Sequence, residues 1–420
     1  MRIELAQGVG LTVVPTKKFK TTRVAIHFLA PLAQVNVAAR TLLTSVLETS
    51  SADYATQAEM SAYLETLFGA SFGIGVGKEG QWHRVTAGLT LLNDQFAQEA
   101  LLQQGFAFLN QVLHRPLMHA GQFDEAVFKR ERHNLQLYLE SLSEDRQTQA
   151  SLALQALYFD DDPAQATPSF GTPAGLASVT PAGLVTAYQQ LLSSDRIEIV
   201  VLGDVQPDAV EALAQTLAFA PRVVPAVALA VKGAPRAQRT QVETVPVNQA
   251  KLNLGYRTDF DLYTPAHYAA IVANDLFGGS PLSLLFTNVR EKASLAYYAS
   301  SSLDAMRQVL MVQTGIDAES AAKVTQLIAQ QLEAVQAGEF TTDKLRVIQD
   351  GLVSNRETAY DSPRFLARQA LLRALLASQP TNLAQYTAGI RAVTKAQVMA
   401  AAATFKLEAQ YLLTEKTKGL

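Results

Sequence analysis

Two periodicities alternate along the chain, and the alternation happens twice. Residues 23–31, RVAIHFLAP, change sides with every residue, which predicts a strand half-buried against a core. They run into NVAARTLLTSVLET, whose apolar positions recur at helical spacing. Residues 251–259, KLNLGYRTD, repeat the strand pattern and lead into the helical HYAAIVANDLFGG. A helix-then-strand segment follows in each half. YLETLFGASFGIGVG matches TNVREKASLAYYASSS, with Gly69 against Ser294 at an offset of 225. Long helical stretches carry Glu140 and Glu357, offset by 217. Each half then closes on a helix and a strand: SVTPAGLVTAYQQLL with RIEIVVLGDV, and AVTKAQVMAAAATF with AQYLLTEK, offset by 214 between Val179 and Val393. Offsets of 214–225 are what a few loop insertions leave of an internal duplication. The repeat lies in the order of elements more than in identical residues.

This order predicts an α+β protein of two homologous domains in tandem, each a mostly antiparallel sheet with helices packed on one face. The first domain is expected over residues 1–218 and the second over 249–420. The stretch between, 219–248, has four prolines and few periodic apolar positions, as a linker does. A second Pro- and Gly-rich stretch, Asp160 to Gly175, is expected to be a loop inside the first half.

Composition narrows the function. At 420 residues the chain is too long for one core, and 48% hydrophobic with 17% charged residues is globular. A net charge of −3 gives no basic excess for nucleic acid. The absence of cysteine excludes disulfides and thiolate metal sites. Met1-Arg2-Ile3-Glu4 does not begin a signal peptide, and Val223–Val231 is too short to span a bilayer. A cytoplasmic protein without membrane attachment is expected.

Most motif-like strings have ordinary readings. Gly75 to Gly80 fits G-x-G-x-x-G, but the strand-like QWHRVTAGLTLL follows where a nucleotide site needs a helix, so a β-hairpin is expected. Gly278-Gly279-Ser280-Pro281-Leu282 lacks the final glycine of a nucleophile elbow and is expected to end one helix and start another. His114 and His119 stand five apart around Pro116, which puts them off a common helix face. Asp160-Asp161-Asp162 lacks the spacing of a calcium loop.

One segment is specific. LFGGSPLSLLFTNVREKASLAYYASSS carries Gly278, Gly279, Ser283, Leu285, Phe286, Val289, Arg290, Glu291, Lys292, Leu295, Ala296 and Tyr297 in the order of the pattern "GG…SRLF…(V/L)REK.GLAY". In this it resembles the pitrilysin/insulinase/mitochondrial-processing-peptidase family, whose texture extends weakly over nearly the whole chain. Active members carry H-x-x-E-H on the first helix of the first half: two histidines one helical turn apart hold Zn²⁺ and the glutamate activates the bound water. Laid on that pattern, Arg40 and Thr44 stand for the histidines and Leu43 for the general base. On a later helix Glu131 is kept, but Tyr138 stands where the third ligand belongs. Arginine, leucine and threonine do not replace imidazole, and no H-x-x-E-H occurs in the chain. The resemblance therefore implies the processing-peptidase-like fold with a degenerate metal site, and neither metal nor cofactor.

Arg290 and Tyr297 are kept. The resemblance implies that such a pair donates hydrogen bonds to backbone carbonyls of a bound peptide. An exposed helix terminus and a packed strand tyrosine are the ordinary alternative. The resemblance further implies a zinc-free subunit that works with a zinc-bearing homologous peptidase on a peptide or unfolded-protein substrate. In isolation the chain would form, if anything, a homodimer. The chain is also similar to a bacterial subgroup linked by name to modification of elongation factor P with 5-aminopentanol. Two other classes stand beside the subunit reading: a scaffold or accessory factor acting without a peptidase, and an unrelated enzyme.

Overall fold

The computed structural model describes residues 2–376 and 380–415, so Met1 and the last five residues of the chain lie outside it. Strands β1 (Arg2–Ala6), β2 (Val9–Pro15), β3 (Thr21–Pro31), β4 (Ser71–Glu79) and β5 (Trp82–Leu92) precede a two-residue hairpin, β6 (Met118–His119) and β7 (Gln122–Phe123). Then come β8 (Arg196–Gly203), β9 (Arg239–Thr244), β10 (Ala250–Arg257), β11 (Ala296–Asp304), β12 (Val309–Ile316) and β13 (Lys406–Thr414). One sheet has the order β1-β2-β8-β3-β5-β4 and the other β9-β13-β10-β12-β11. Set β9 on β2, β13 on β8, β10 on β3, β12 on β5 and β11 on β4, and the orders coincide. The parallel pairs coincide too: β2 with β8 and β9 with β13, all others being antiparallel. The duplication is thus topological.

The chain forms two compact units, each assembled from three pieces. The first holds residues 2–140, 167–229 and 360–376; the second holds 141–166, 230–359 and 380–415. Within 219–248, residues up to Leu229 belong to the first unit, and β9 is an edge strand of the second sheet. Its exposed, polar RTQVET explains why no apolar alternation marks it in the sequence.

In the first unit, β5 shows how the sheet divides its faces. Val85, Ala87, Leu89 and Leu91 are buried, and the apolar helix Leu101–His114 packs against the strand. Arg84, Thr86, Gly88 and Thr90 point to the other face, where the helix Pro363–Leu375 lies on β2 and β8. In the second unit the larger core sits on one sheet face, around Leu252, Leu254, Leu310 and Val312. The opposite face buries Val309, Ala409, Tyr411 and Leu413 against Ala150, Leu154 and Tyr158 of the helix Arg146–Tyr158. The helices Arg146–Tyr158 and Pro363–Leu375 are equivalent members of the repeat, 217 residues apart, and each completes the sheet of the opposite half.

The ordinary readings of the motif-like strings hold. Gly75 and Gly77 lie in β4, and Gly80, with φ of 59°, turns the chain into β5. Residues Asp275–Gly279 end a helix as a π-helical turn before a new one begins at Leu285. Asp160 and Asp161 pair with Arg239 at 2.7 Å and Arg236 at 2.9 Å, while Asp162 accepts from the amides of Ala164 and Gln165. No helix among the described residues is long and apolar enough to cross a membrane.

Candidate functional site

The helix Gln34–Thr49 buries Leu42, Leu43, Val46 and Leu47 on its apolar side. The residues between them, Thr41, Thr44, Ser45 and Glu48, stand at i, i+3, i+4 and i+7 and form a polar stripe. Thr41, Thr44 and Ser45 line a hollow of about 390 Å³ together with Gly75 and Val76 of β4 and Asn134, Leu135 and Tyr138 of the helix Glu125–Ser141. Ser169 and Phe170 complete the lining, and the Phe170 ring meets Tyr138 edge-on at 6.0 Å.

The four positions assigned from the sequence to a lost metal site therefore separate. Thr44 and Tyr138 line the hollow, whereas Leu43 is fully buried on the apolar side and Arg40 turns to the end of the sheet. The residues of the H-x-x-E-H spacing that open on the hollow are Thr41, Thr44 and Ser45, one position along from Arg40, Leu43 and Thr44. The polar stripe is the sequence signal for this register.

The donors in the hollow do not suit Zn²⁺. The Thr41 hydroxyl donates to the carbonyl of Val37 at 2.9 Å and the Thr44 hydroxyl to that of Thr41 at 2.8 Å. Neither neutral hydroxyl offers the imidazole or carboxylate that the ion takes. Glu131 is buried, but accepts from Arg130 Nε at 2.7 Å and Asn134 Nδ2 at 3.4 Å. Among the described residues no group of three or more His, Cys, Asp or Glu side chains stands close enough to hold a metal.

Arg40 belongs to a buried polar cluster. Its Nη2 pairs with Asp195 Oδ2 at 2.7 Å, and its Nε donates to His83 Nδ1 at 2.9 Å. His83 Nε2 then donates to the carbonyl of Ser169 at 2.8 Å, so the ring is neutral with its proton on Nε2. Burial, with Arg40 adjoining, pushes the His83 pKa down to about 3. Burial also pushes the Asp195 carboxyl above its ordinary value, a rise that Arg40 holds back in part.

Beside the hollow, β4 is the outermost strand of its sheet. Its Ile74 amide is turned from β5 and donates to Glu48 Oε2 at 3.2 Å. Burial raises the Glu48 pKa, the Ile74 amide lowers it, and the charge of Glu131 raises it again. Amides alternate sides along a strand, so Phe72 and Val76 present theirs on this same open edge.

Arg290 and Tyr297 lie in the second unit. Arg290 lies in the last turn of the π-helical segment Leu285–Lys292 and Tyr297 follows the start of β11. Ser294, at φ of 53°, turns the chain between them. Arg290 Nε donates to the Tyr297 carbonyl at 3.1 Å, and the guanidinium lies 4.5 Å over the Phe286 ring. Tyr297 is 61% exposed, with its hydroxyl 3.4 Å from Asp317 Oδ1. The two side chains are thus neighbours outside the core; Arg290 keeps free N–H groups, while the single hydroxyl proton of Tyr297 is turned to Asp317.

Residues 178–352 match the family model described as the peptidase M16 inactive domain. Over 414 residues, 96% of either chain, the sequence is 30% identical to the "Probable inactive metalloprotease YmfF" of Bacillus subtilis (strain 168). The fold is similar to the crystal structure of a conserved protein from Enterococcus faecalis V583, at 38% identity and a TM-score of 0.94, covering 100% of this chain and 99% of that one. It is also similar to a peptidase M16 inactive domain from Pseudomonas fluorescens, at 20% identity and a TM-score of 0.82, covering 99% and 98%.

Proposed function

Since the chain belongs to the peptidase M16 family, as a degenerate homologue without H-x-x-E-H, we propose that it is the non-catalytic, zinc-free subunit of a heterodimeric peptidase. The carrying observation is that the hollow under β4 keeps its walls while its chemistry is absent. Hydroxyls replace ligands at Thr41, Thr44 and Ser45, yet the neighbouring strand edge stays open with its amides outward. Such an edge accepts an extended peptide as an added strand, with affinity supplied by main-chain hydrogen bonds. In this reading Arg290 and Tyr297 give directional donors to carbonyls of the same class of substrate, and a homologous subunit bearing H-x-x-E-H cleaves it.

The test is co-expression with a zinc-bearing homologue from the same genome, followed by cleavage of a fluorogenic peptide by the purified pair. Tyr297→Phe removes one hydroxyl, and Arg290→Ala removes a charged donor. Each lost bond costs about 0.5–3 kcal/mol of transition-state stabilisation, or roughly 2- to 150-fold in kcat/KM. Association is measured separately by sedimentation and is expected to be unchanged. Full cleavage by the homologue alone, or unchanged cleavage in both variants, would refute the subunit reading.

A further inference from the structure

The sheet face of the first unit that turns away from the core is cationic, and its charges are unevenly compensated. Strand register puts Arg23 and His27 of β3 on this face with Arg84, Thr86, Gly88 and Thr90 of β5, because Arg23 pairs with Thr90 and His27 with Thr86. The helix Pro363–Leu375 adds Arg364 and Arg368, one turn apart. Two of these four arginines share a carboxylate. Glu79, 2% exposed, accepts from Arg368 Nε at 3.3 Å and Nη2 at 3.1 Å and lies 3.4 Å from Arg84 Nε.

The other two have no such partner. Arg23 makes one side-chain hydrogen bond, from Nη1 to Thr90 Oγ1 at 3.0 Å, and its buried Nε makes none. Among the described residues Arg364 has neither a hydrogen bond nor an ion pair, and the nearest acidic residue in sequence, Asp361, pairs with Lys18. Burial and then the Arg364 charge push the Arg23 guanidinium below its ordinary pKa, and no carboxylate acts against them. Arg364 is also the second residue of a 13-residue helix, where the helix dipole disfavours a cation and favours an anion. Between the arginines, His27 is buried with its Nε2 unpartnered, and burial with Arg84 and Arg23 nearby lowers its pKa to about 3. It is therefore neutral and compensates nothing.

The floor is bare. A Cβ on Gly88 would stand 3.0 Å from Arg23 Nη2, so glycine there lets the guanidinium approach the strand closely. Gly73, the partner of Gly88 on β4, and Gly75 bring no side chains of their own to the strip beside it, and Glu48 Oε1 stands 3.5 Å from the place of a Gly73 Cβ.

We propose that Arg23 and Arg364, with the Thr90 hydroxyl, form a carboxylate-binding site for an acidic side chain of a bound peptide. Planar guanidinium forks match a carboxylate bidentately. The bare glycine strip admits the peptide backbone close to the sheet. The site rests on the peptide-binding reading above and adds to it a preference for aspartate or glutamate.

The probes are two fluorescein-labelled decapeptides of one sequence, differing only in three Glu or three Gln, titrated by anisotropy into the full chain paired with its zinc-bearing homologue. The Glu peptide is expected to bind at least tenfold tighter at 50 mM salt, with the advantage shrinking as salt rises. Arg23→Gln and Arg364→Gln are each expected to remove most of that advantage while leaving the Gln peptide unchanged. Arg364 is exposed and has no ion pair among the described residues, so its variant keeps the fold even if Arg23→Gln does not. Equal binding of the two peptides, or an undiminished preference in Arg364→Gln, overturns the site and leaves the peptide-binding reading standing. Binding of neither peptide overturns both.

Discussion

The register of the vanished metal site can be decided by rebuilding it two ways. One variant, T41H/T44E/S45H/Y138E, puts zinc ligands and base on residues that line the hollow. The other, R40H/L43E/T44H/Y138E, puts them where the sequence alone suggested. In the second, Leu43 is 0% exposed, and its replacement by Glu forfeits about 1.5–3 kcal/mol of burial. Removing Arg40 strands Asp195, 3% exposed, at a cost of about 3–5 kcal/mol. Together these reach the lower end of the roughly 5–15 kcal/mol by which domains are stable, so this variant should not fold. In the first, Thr41 and Thr44 give up only bonds to carbonyls of their own helix, about 0.5–1.5 kcal/mol each. Zinc at a hundred times its Kd returns about 2.7 kcal/mol, roughly 5–11 °C in the melting temperature of a unit this size. The assays are zinc content by elemental analysis and calorimetry with and without Zn²⁺. A folded T41H/T44E/S45H/Y138E chain that takes up no zinc, or an R40H/L43E/T44H/Y138E chain that folds and does, would refute the reasoning.

Three further outcomes are expected. His83 has a folded pKa of about 3 against about 6.5 unfolded, so its neutral form stabilises the fold above pH 6.5 and the contribution is lost as pH falls. Relative to His83→Gln, which keeps an acceptor for Arg40 and a donor for Ser169, the native chain should lose about 1.4 kcal/mol per pH unit below 6.5 in urea unfolding; parallel pH profiles would show that His83 does not titrate on unfolding. The Glu48 carboxyl is raised, so its ionised form costs stability at neutral pH. Glu48→Gln should stabilise at pH 7, with the gain vanishing below about pH 4.3, the ordinary glutamate value; a loss at pH 7 would contradict it. Ser294 holds φ of 53°, where a side chain is strained, so Ser294→Gly should stabilise by up to about 1 kcal/mol in thermal unfolding, and a lower melting temperature would count against strain there.

Periodicity carried the duplication because each strand and helix keeps one apolar side, and the offset of 217 between Glu140 and Glu357 is the offset of the helices that hold them. It did not carry the exchange of helices. The apolar positions Ala150 and Leu154 say that a face is covered, not whose sheet covers it. The strand β9 escaped for the converse reason, since an edge strand with solvated side chains has no apolar period. Thr44 and Tyr138, which the resemblance assigns to a lost metal site, both line the hollow. Arg40 and Leu43, placed there by the same pattern, point away from the hollow, Arg40 to its buried partner Asp195 and Leu43 into the core. Arg290 and Tyr297 lie side by side because the left-handed turn at Ser294 reverses the chain between them.

The exchanged helices also set a timetable for synthesis. The first unit's sheet is complete once β8 has emerged, but the face that carries Arg23, Arg84 and Glu198 waits for the helix Pro363–Leu375. Between Leu229 and Tyr360 the ribosome must add about 130 residues, which at about 5–20 residues per second takes roughly 7–26 s. Through that interval the nascent chain holds a nearly finished half with one side of its sheet uncovered, and a fragment ended at residue 218 would hold it so permanently. Each half of this fold thus depends on a helix that the other half encodes.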